Sequence, residues 1–547
     1  MTETITPVRQ ASRATRREWV GLGVLALACL LYVMDLTVLH LAVPSLSADL
    51  QPTSVELLWI IDIYGFLVAG SLVTMGTLGD RIGRRRLLLA GAATFGVVSI
   101  LAAFSTSPEM LIASRALLGI AGATIAPSTL SLIFHMFQDP KQRSVAVGIW
   151  IGSFSAGSAV GPVLGGLLLE FFWWGSVFLL ALPVMAALLV LGPRVLPEYR
   201  DPDAGRLDPL SAAMSVAALL GMIFGLKQIV QGGAGPVPAL AILAGLVIGV
   251  MWFRRQQRLA DPMIDVGLFR IRAFSSALAV NFFTVFVAIG YFVFVAQYLQ
   301  LVVGLKPFAA GLWSLPSAVG FVAGSQLAPR IVQRVRPAYL IGAGLAMAAV
   351  GLIVLTQVGT TGGLPPLVVA SVIVSLGLAP VFGLTTEMIV GSAPPERAGA
   401  ASGISETGAE LGGALGIAIL GSVGTLIYRA QLATDLPSGL PAATAEAARD
   451  TLGGALAVAR QLPDGLGDVV ATTAREAFVA GMHLTSAIAA VLAVGLAVLT
   501  VVALRAHGGE QHEQAAEPQE PEVEAASAPE LVPCPEPALV PCLEGAQ

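Results

Sequence analysis

The chain has 547 residues, of which 56% are hydrophobic and only 12% charged, with a mean hydropathy of +0.81. Soluble domains carry about 25% charged residues, so this chain lacks the polar surface of a soluble enzyme, a nucleic-acid-binding protein or a disordered scaffold. The net charge of −5 is misleading, because nine acids follow Arg505 and the rest of the chain is +4; the acidic balance belongs to a tail and says nothing of a substrate.

About 20 apolar residues cross a bilayer as a helix, and runs of that kind predict fourteen spans. In chain order they are 19–43, 57–78, 87–104, 110–134, 145–169, 175–192, 210–230, 237–253, 273–298, 308–328, 338–357, 366–389, 400–427 and 477–503. The first is too long for a signal core and lacks a small-residue cleavage site, so it is expected to stay as an anchor. Placing the N-terminus inside puts 23 of the 30 basic residues in internal loops and tails, which obeys the positive-inside rule and returns the C-terminus to the cytoplasm.

The spans hold few ionisable residues, and such groups in lipid are costly enough to mark function by default. The first span carries Asp35 and His40, the second Asp62 near its outer end, and the fourth Arg115 in its outer third. These three helices place two acids and one arginine at similar depth. An arginine able to pair with either acid makes a switchable network, in which protonating one carboxylate releases the arginine. Lys227 and Glu387 lie near span ends and are expected to snorkel, while His40 and His483 are read as packing residues. In the thirteenth span Glu406 and Glu410 are spaced i, i+4 and share a face. Two like charges on one buried face do not both ionise readily, so one holds a proton until a cation arrives. Tyr64, Phe282, Tyr291, Phe294 and Tyr298 are candidates to line a cavity, with packing the default for each.

Three stretches go beyond topology. Residues 76–89 read GTLGDRIGRRRLLL between the second and third spans, with a degenerate counterpart at 326–341, QLAPRIVQRVRPAYLI, where Pro329 stands in place of Asp80. The duplication predicts two six-helix halves flanking an inserted pair, with the substrate site between the halves. Residues 111–123 read LIASRALLGIAGA around Arg115, and 157–166 read GSAVGPVLGG, whose glycines and Pro162 let another helix pack closely. The expected organisation is a basic cytoplasmic N-terminus (1–18), a six-helix bundle (19–195), inserted helices seven and eight (208–253), a second six-helix bundle (273–503) with an outer loop (429–475), and a disordered acidic tail (506–547). The three cysteines suggest neither a zinc site nor a disulfide framework.

Together with LLYVMDLTVLHLAVPSL at 30–46 and SGISETGAELGGALG at 402–416, these motifs resemble the major facilitator superfamily. The match is to its fourteen-helix drug:proton antiporter branch, the group of multidrug efflux pumps typified by QacA, SmvA and LfrA. The resemblance implies an all-α polytopic membrane protein of the major facilitator fold. It implies export of small lipophilic, mainly cationic compounds in exchange for protons by alternating access, with no cofactor beyond the proton gradient, no metal and no nucleic acid. The expected setting is a monomer among the lipids of a bacterial inner membrane. By residue, Asp35, Asp62, Arg115, Glu406 and Glu410 would serve proton coupling and the substrate cation. Gly76, Asp80, Arg81, Gly83, Arg84 and Arg85 would form a cytoplasmic latch. Gly157, Gly161, Pro162, Gly165 and Gly166 would seal the fifth span against leak. His40 and Leu39 depart from the usual Asn and Val of the first-span pattern, and the tenth span lacks the further carboxylate some relatives carry. A dedicated exporter of one antibiotic or metabolite is the alternative, with a solute symporter behind it. Sodium in place of protons stays open.

Overall fold

The computed structural model describes residues 13–505 except 53, 201–207, 233–234, 260–261, 265, 395–396 and 438–439. The tail expected at 506–547 and the first twelve residues of the basic N-terminus lie outside the described residues. The described residues form helices and no strands.

The first half begins with α1 (Arg16–Leu50), entered through a capping box in which Thr15 accepts from the Arg17 amide and the Glu18 carboxylate accepts from the Thr15 amide. α2 (Ser54–Ile82) turns sharply at Gly83, whose φ of +113° suits glycine, into α3 (Arg84–Ala103). The fourth expected span is two helices, α4 (Pro108–Gly122) and α5 (Ile125–Met136). Thr124, between them, sits so close to Gly91 of α3 that a side chain there would collide with it. α6 (Pro140–Phe171) follows, and the sixth span is built from α7 (Ser176–Leu179) and α8 (Ala181–Val195). Side chains of α1 to α8 make one hydrophobic core.

α9 (Pro209–Gly232) and α10 (Pro236–Gln256) form a hairpin. Asp208 ties its ends together, pairing with Arg255 at 2.7 Å while Gln256 donates to Ser211. α9 lies on α2, with the Thr74 and Ser215 hydroxyls 3.3 Å apart and Trp59 stacked on Phe224. It also reaches the second half: Leu411 packs against the cluster of Phe66, Ala69 and Ile223. α10 packs on α9 and otherwise presents apolar side chains outward.

The second half comprises α11 (Arg272–Gln297), prolonged by a π-turn at Tyr298–Val302, then α12 (Pro307–Ile331), α13 (Pro337–Leu355) and α14 (Leu364–Gly391). α15 (Ala398–Asp435) and α18 (Asp464–Arg505) run well past the expected limits of their spans, because both continue as helices into the 429–475 loop. Between them α16 (Ala442–Asp450) and α17 (Leu452–Ala459) fold onto the bundle through Tyr428, which donates to the Ala448 carbonyl at 2.8 Å, and through buried Leu452 and Ala455. A second core joins α11 to α18.

Among the described residues, twelve helical stretches are long and apolar enough to cross a membrane. Two further segments expected to do so, α6 and α12, are helices of 32 and 25 residues outside that twelve. Many large apolar side chains stay exposed, such as Val319, Val491 and Val502. Water would not tolerate that surface, whereas lipid does.

Candidate functional site

Arg115 is 1% exposed, and the carboxylate on its own helix, Glu109, lies six residues away in the first turn. A buried cation without a counter-charge costs several kcal/mol, so the fold must supply one. Asp35 of α1 does so at 2.6 Å, and is itself 11% exposed. The remaining direction of the guanidinium is met by α2: its Nε donates to the Ile60 carbonyl at 3.2 Å, and the Tyr64 ring lies 4.5 Å beneath it. Phe178 of α7 adds a second ring at 5.9 Å. Beside Asp35, side chains of α1, α7 and α8 enclose a crevice of about 10 Å³, room for about one water.

Ile60 and Tyr64 are four residues apart and share the face of α2 that meets Arg115. Asp62 lies about 200° around the helix from each. It falls on the stripe of Trp59 and Phe66, which faces α9. The structure therefore brings Arg115 to Asp35, and places half-buried Asp62 toward the inserted hairpin.

Glu406 and Glu410 lie half-buried on one face of α15. Across from them stand Tyr32 of α1, within electrostatic range of both, and Tyr64, within range of Glu410 and Asp35. Tyr64 donates to the Tyr32 carbonyl at 3.4 Å. A polar belt thus runs, within electrostatic range at each step, from Asp35 and Arg115 past two tyrosines to the acids of the other half. Phe154 and Trp150 of α6 extend its aromatic side: Tyr32 and Phe154 rings are 6.1 Å apart, Phe154 and Trp150 4.7 Å. Trp150 is fixed by its indole N–H donating to Thr129 at 2.9 Å. Aromatic faces next to carboxylates suit a lipophilic cation. Tyr32, Trp150 and Phe154 were invisible to sequence reasoning, because nothing in their spacing says which face of α1 or α6 meets the other half. Among the expected aromatic candidates, Tyr64 joins the belt. Tyr298 instead donates to the Gly359 carbonyl, and Phe294 packs on Phe478.

The 76–89 motif divides its labour. Arg84 is fully buried and pairs with Asp80, whose other oxygen accepts the Ala400 amide at 3.1 Å. Asp80 thereby caps the first turn of α15 from the opposite half, where the exposed amides and the helix dipole favour a negative charge. The Arg84 guanidinium lies flat on Gly399, and Gly76 allows the Gly399 carbonyl so near that a Cβ would stand 2.5 Å from it. Arg81 is half-buried in the last turn of α2. Arg85 turns the other way: its amide donates to Glu198 at 3.1 Å and its guanidinium to the Leu196 carbonyl at 3.1 Å. Glu198, beside Gly83, is a strap within the first half that sequence reasoning missed.

On the opposite seam, Glu387 of α14 accepts the Ser144 hydroxyl at 2.8 Å with Arg143 3.9 Å away. The expectation that Glu387 snorkels is corrected: its partner lies on α6, across the seam, and holds it between the halves. Nearby, Gly148 of α6 lets the Ser325 carbonyl of α12 approach closely. Both seams are therefore fastened at the end that carries the basic loops.

In α6, Gly157 meets the Leu30 carbonyl and Gly165 the Val38 side chain. Gly161 is buried, whereas Gly166 is exposed with open space around it. Pro162 is in the same helix, its side chain outside the described residues, as are those of His40 and Lys227. Leu30 and Val38 flank Asp35, so this glycine face grips α1 on either side of the buried acid. His483 lies 2.8 Å from the Val358 carbonyl and holds a loop.

A profile of the Major Facilitator Superfamily matches residues 25–208 and 210–417. The chain is 43% identical to the multidrug efflux pump LfrA of Mycolicibacterium smegmatis, over 90% of its own length and 98% of that protein. It is 36% identical to the methyl viologen resistance protein SmvA of Salmonella typhimurium, over 85% and 93% respectively. Its fold is similar to that of the human organic anion transporter MFSD10, with a TM-score of 0.57 and 15% identity over 89% of this chain and 99% of that one. The chain belongs to the Major Facilitator Superfamily and is a multi-pass membrane protein.

Proposed function

We propose that the chain is a proton-coupled antiporter that exports lipophilic, mainly cationic drugs, in the fourteen-helix branch of the superfamily. α6 and α12 would complete the fourteen spans. α1–α8 and α11–α18 would be the two rocking halves, with α9 and α10 inserted between them. Positive-inside placement supports cytoplasmic termini, and the protein would work in a bacterial inner membrane as a monomer without a cofactor. The reading rests above all on one observation: a buried Asp35–Arg115 pair beside Tyr64, with Tyr32 in electrostatic range of Glu406 and Glu410 of the other half and Tyr64 in range of Glu410. SmvA, named for resistance to methyl viologen, a bipyridinium dication, supports a cationic substrate.

In this mechanism the cation rests among the aromatic rings with its charge toward Glu406 and Glu410. A proton arriving from outside is taken up by the carboxylates and removes the negative charge that holds the drug. Protonating Asp35 likewise frees Arg115 to lean on its carbonyl and ring partners. With both seams fastened at the basic end, the state described here would open away from the cytoplasm.

The test is drug-dependent proton movement in inverted vesicles carrying the purified chain, with a cationic dye and an imposed pH gradient. The wild type should couple, and Asp35→Asn should abolish coupling while the protein stays in the membrane. Coupling that survives Asp35→Asn would overturn the assigned role, and dye movement indifferent to the pH gradient would overturn proton exchange.

A further inference from the structure

A cavity of about 400 Å³ lies on the inserted hairpin, away from the polar belt. Met222 of α9 and Leu246, Val250 and Phe253 of α10 wall it, and Gly245 and Gly249 form its floor. Gly245 packs under the Ala218 carbonyl, so the hollow is fixed by the hairpin itself. At the basic end it finishes on Arg254 and Gln257. Arg255 is committed to Asp208, whereas Arg254 and Arg258 make no ion pair among the described residues. The hollow is thus apolar along its length and cationic at one mouth.

A single acyl chain fits the hollow, and Arg254 at its mouth selects the headgroup. We propose that the α9–α10 groove is a binding site for one acidic phospholipid, its tail along Gly245 and Gly249 and its phosphate at Arg254. Basic pockets at the ends of membrane helices are chemically suited to such headgroups. The site does not depend on the transport reading. Because α9 packs on both α2 and Leu411, a lipid wedged behind it would stiffen a helix that bridges the two halves.

The experiment is native mass spectrometry of the delipidated full chain, titrated in parallel with phosphatidylglycerol and phosphatidylcholine of identical tails. The wild type should retain one phosphatidylglycerol with a preference of about fivefold, from one cation at an interface. Arg254→Gln alters an exposed side chain, and Gly249→Leu fills the floor where no neighbour lies closer than 3.8 Å. Both variants should fold, and each should lower phosphatidylglycerol retention to the phosphatidylcholine level. Equal retention of the two lipids by the wild type would overturn the site. So would wild-type retention in Gly249→Leu, which would reduce the effect to surface charge without a groove.

Discussion

At the scale of single residues, burial decides what each charge is for. Arg115 and Asp35 are a buried pair, and removing one partner leaves the other charged and unpaired, at a cost of about 3–5 kcal/mol. Arg115→Gln alone should therefore lower the melting temperature measurably. The double variant Arg115→Gln with Asp35→Asn has no net buried charge and should melt above Arg115→Gln, while remaining unable to couple protons. Thermal unfolding of the wild type and the two purified variants in one detergent checks this. A double variant no more stable than the single would mean that Asp35 is not the group balancing Arg115. The pair was half legible in the sequence: similar depth brought Asp35, Asp62 and Arg115 together, but only the rotation of α2 separates the acids, placing Asp62 on the Trp59 stripe. The shared face of Glu406 and Glu410 follows from four-residue spacing alone, whereas their opposition to Tyr32 is a contact between helices that no local pattern carries.

Among elements, glycine positions separate packing from ornament. Gly157 and Gly165 sit where α1 touches α6, and Gly166 in the same motif touches nothing within 4 Å. Gly157→Val should push α1 outward and disturb Asp35, reducing transport by at least an order of magnitude, since a small misplacement of a working group can cost about 100-fold. Gly166→Ala should leave transport near wild type. Dye efflux from cells expressing each variant at matched membrane levels distinguishes them, and equal loss from both would argue against a specific grip on α1. The hairpin offers a pH test. Asp208, just before α9, has its carboxyl held below the ordinary range by the Ser211 hydroxyl and the Arg255 guanidinium. A lowered carboxyl stabilises above its ordinary value and loses that contribution only as pH falls through the lowered one. The stability difference between wild type and Asp208→Asn should thus be unchanged from pH 7 to pH 5, as read by thermal melts across that range. Element order was the most legible level, because hydropathy over 20 residues is a strong local signal. The extensions of α15 and α18 escaped it, since their ends beyond the apolar runs are polar helix stabilised by packing against α16 and α17.

For the whole molecule, the two seams are fastened by different chemistry at the same end. Asp80 and Arg84 close α2 onto α15, and Glu387 closes α14 onto α6. The second copy of the motif has Pro329 where the first has Asp80, so α12 supplies no acid to its own seam, and a carboxylate from α14 stands there instead. A hydrogen bond to a charged group contributes about 1.5–3 kcal/mol, so each fastening biases the closed basic end by about one to two powers of ten. Losing one should leave the halves mostly joined, while losing both should open them. Ser402 is fully buried next to Gly403, which packs against Leu72 and Val73 of α2, and a cysteine there reports opening by alkylation. In a background with Cys29, Cys534 and Cys542 replaced by serine, Ser402→Cys should be protected. It should react about 10- to 100-fold faster with Asp80→Asn or Glu387→Gln, and faster than the product of those two effects only if the seams are mutually dependent. Simple multiplication of the two rate increases is the expected result, because the fastenings lie on opposite seams and share no side chain. An Asp80→Asn rate that Glu387→Gln does not raise would show that the α6–α14 contact bears no part of the closure.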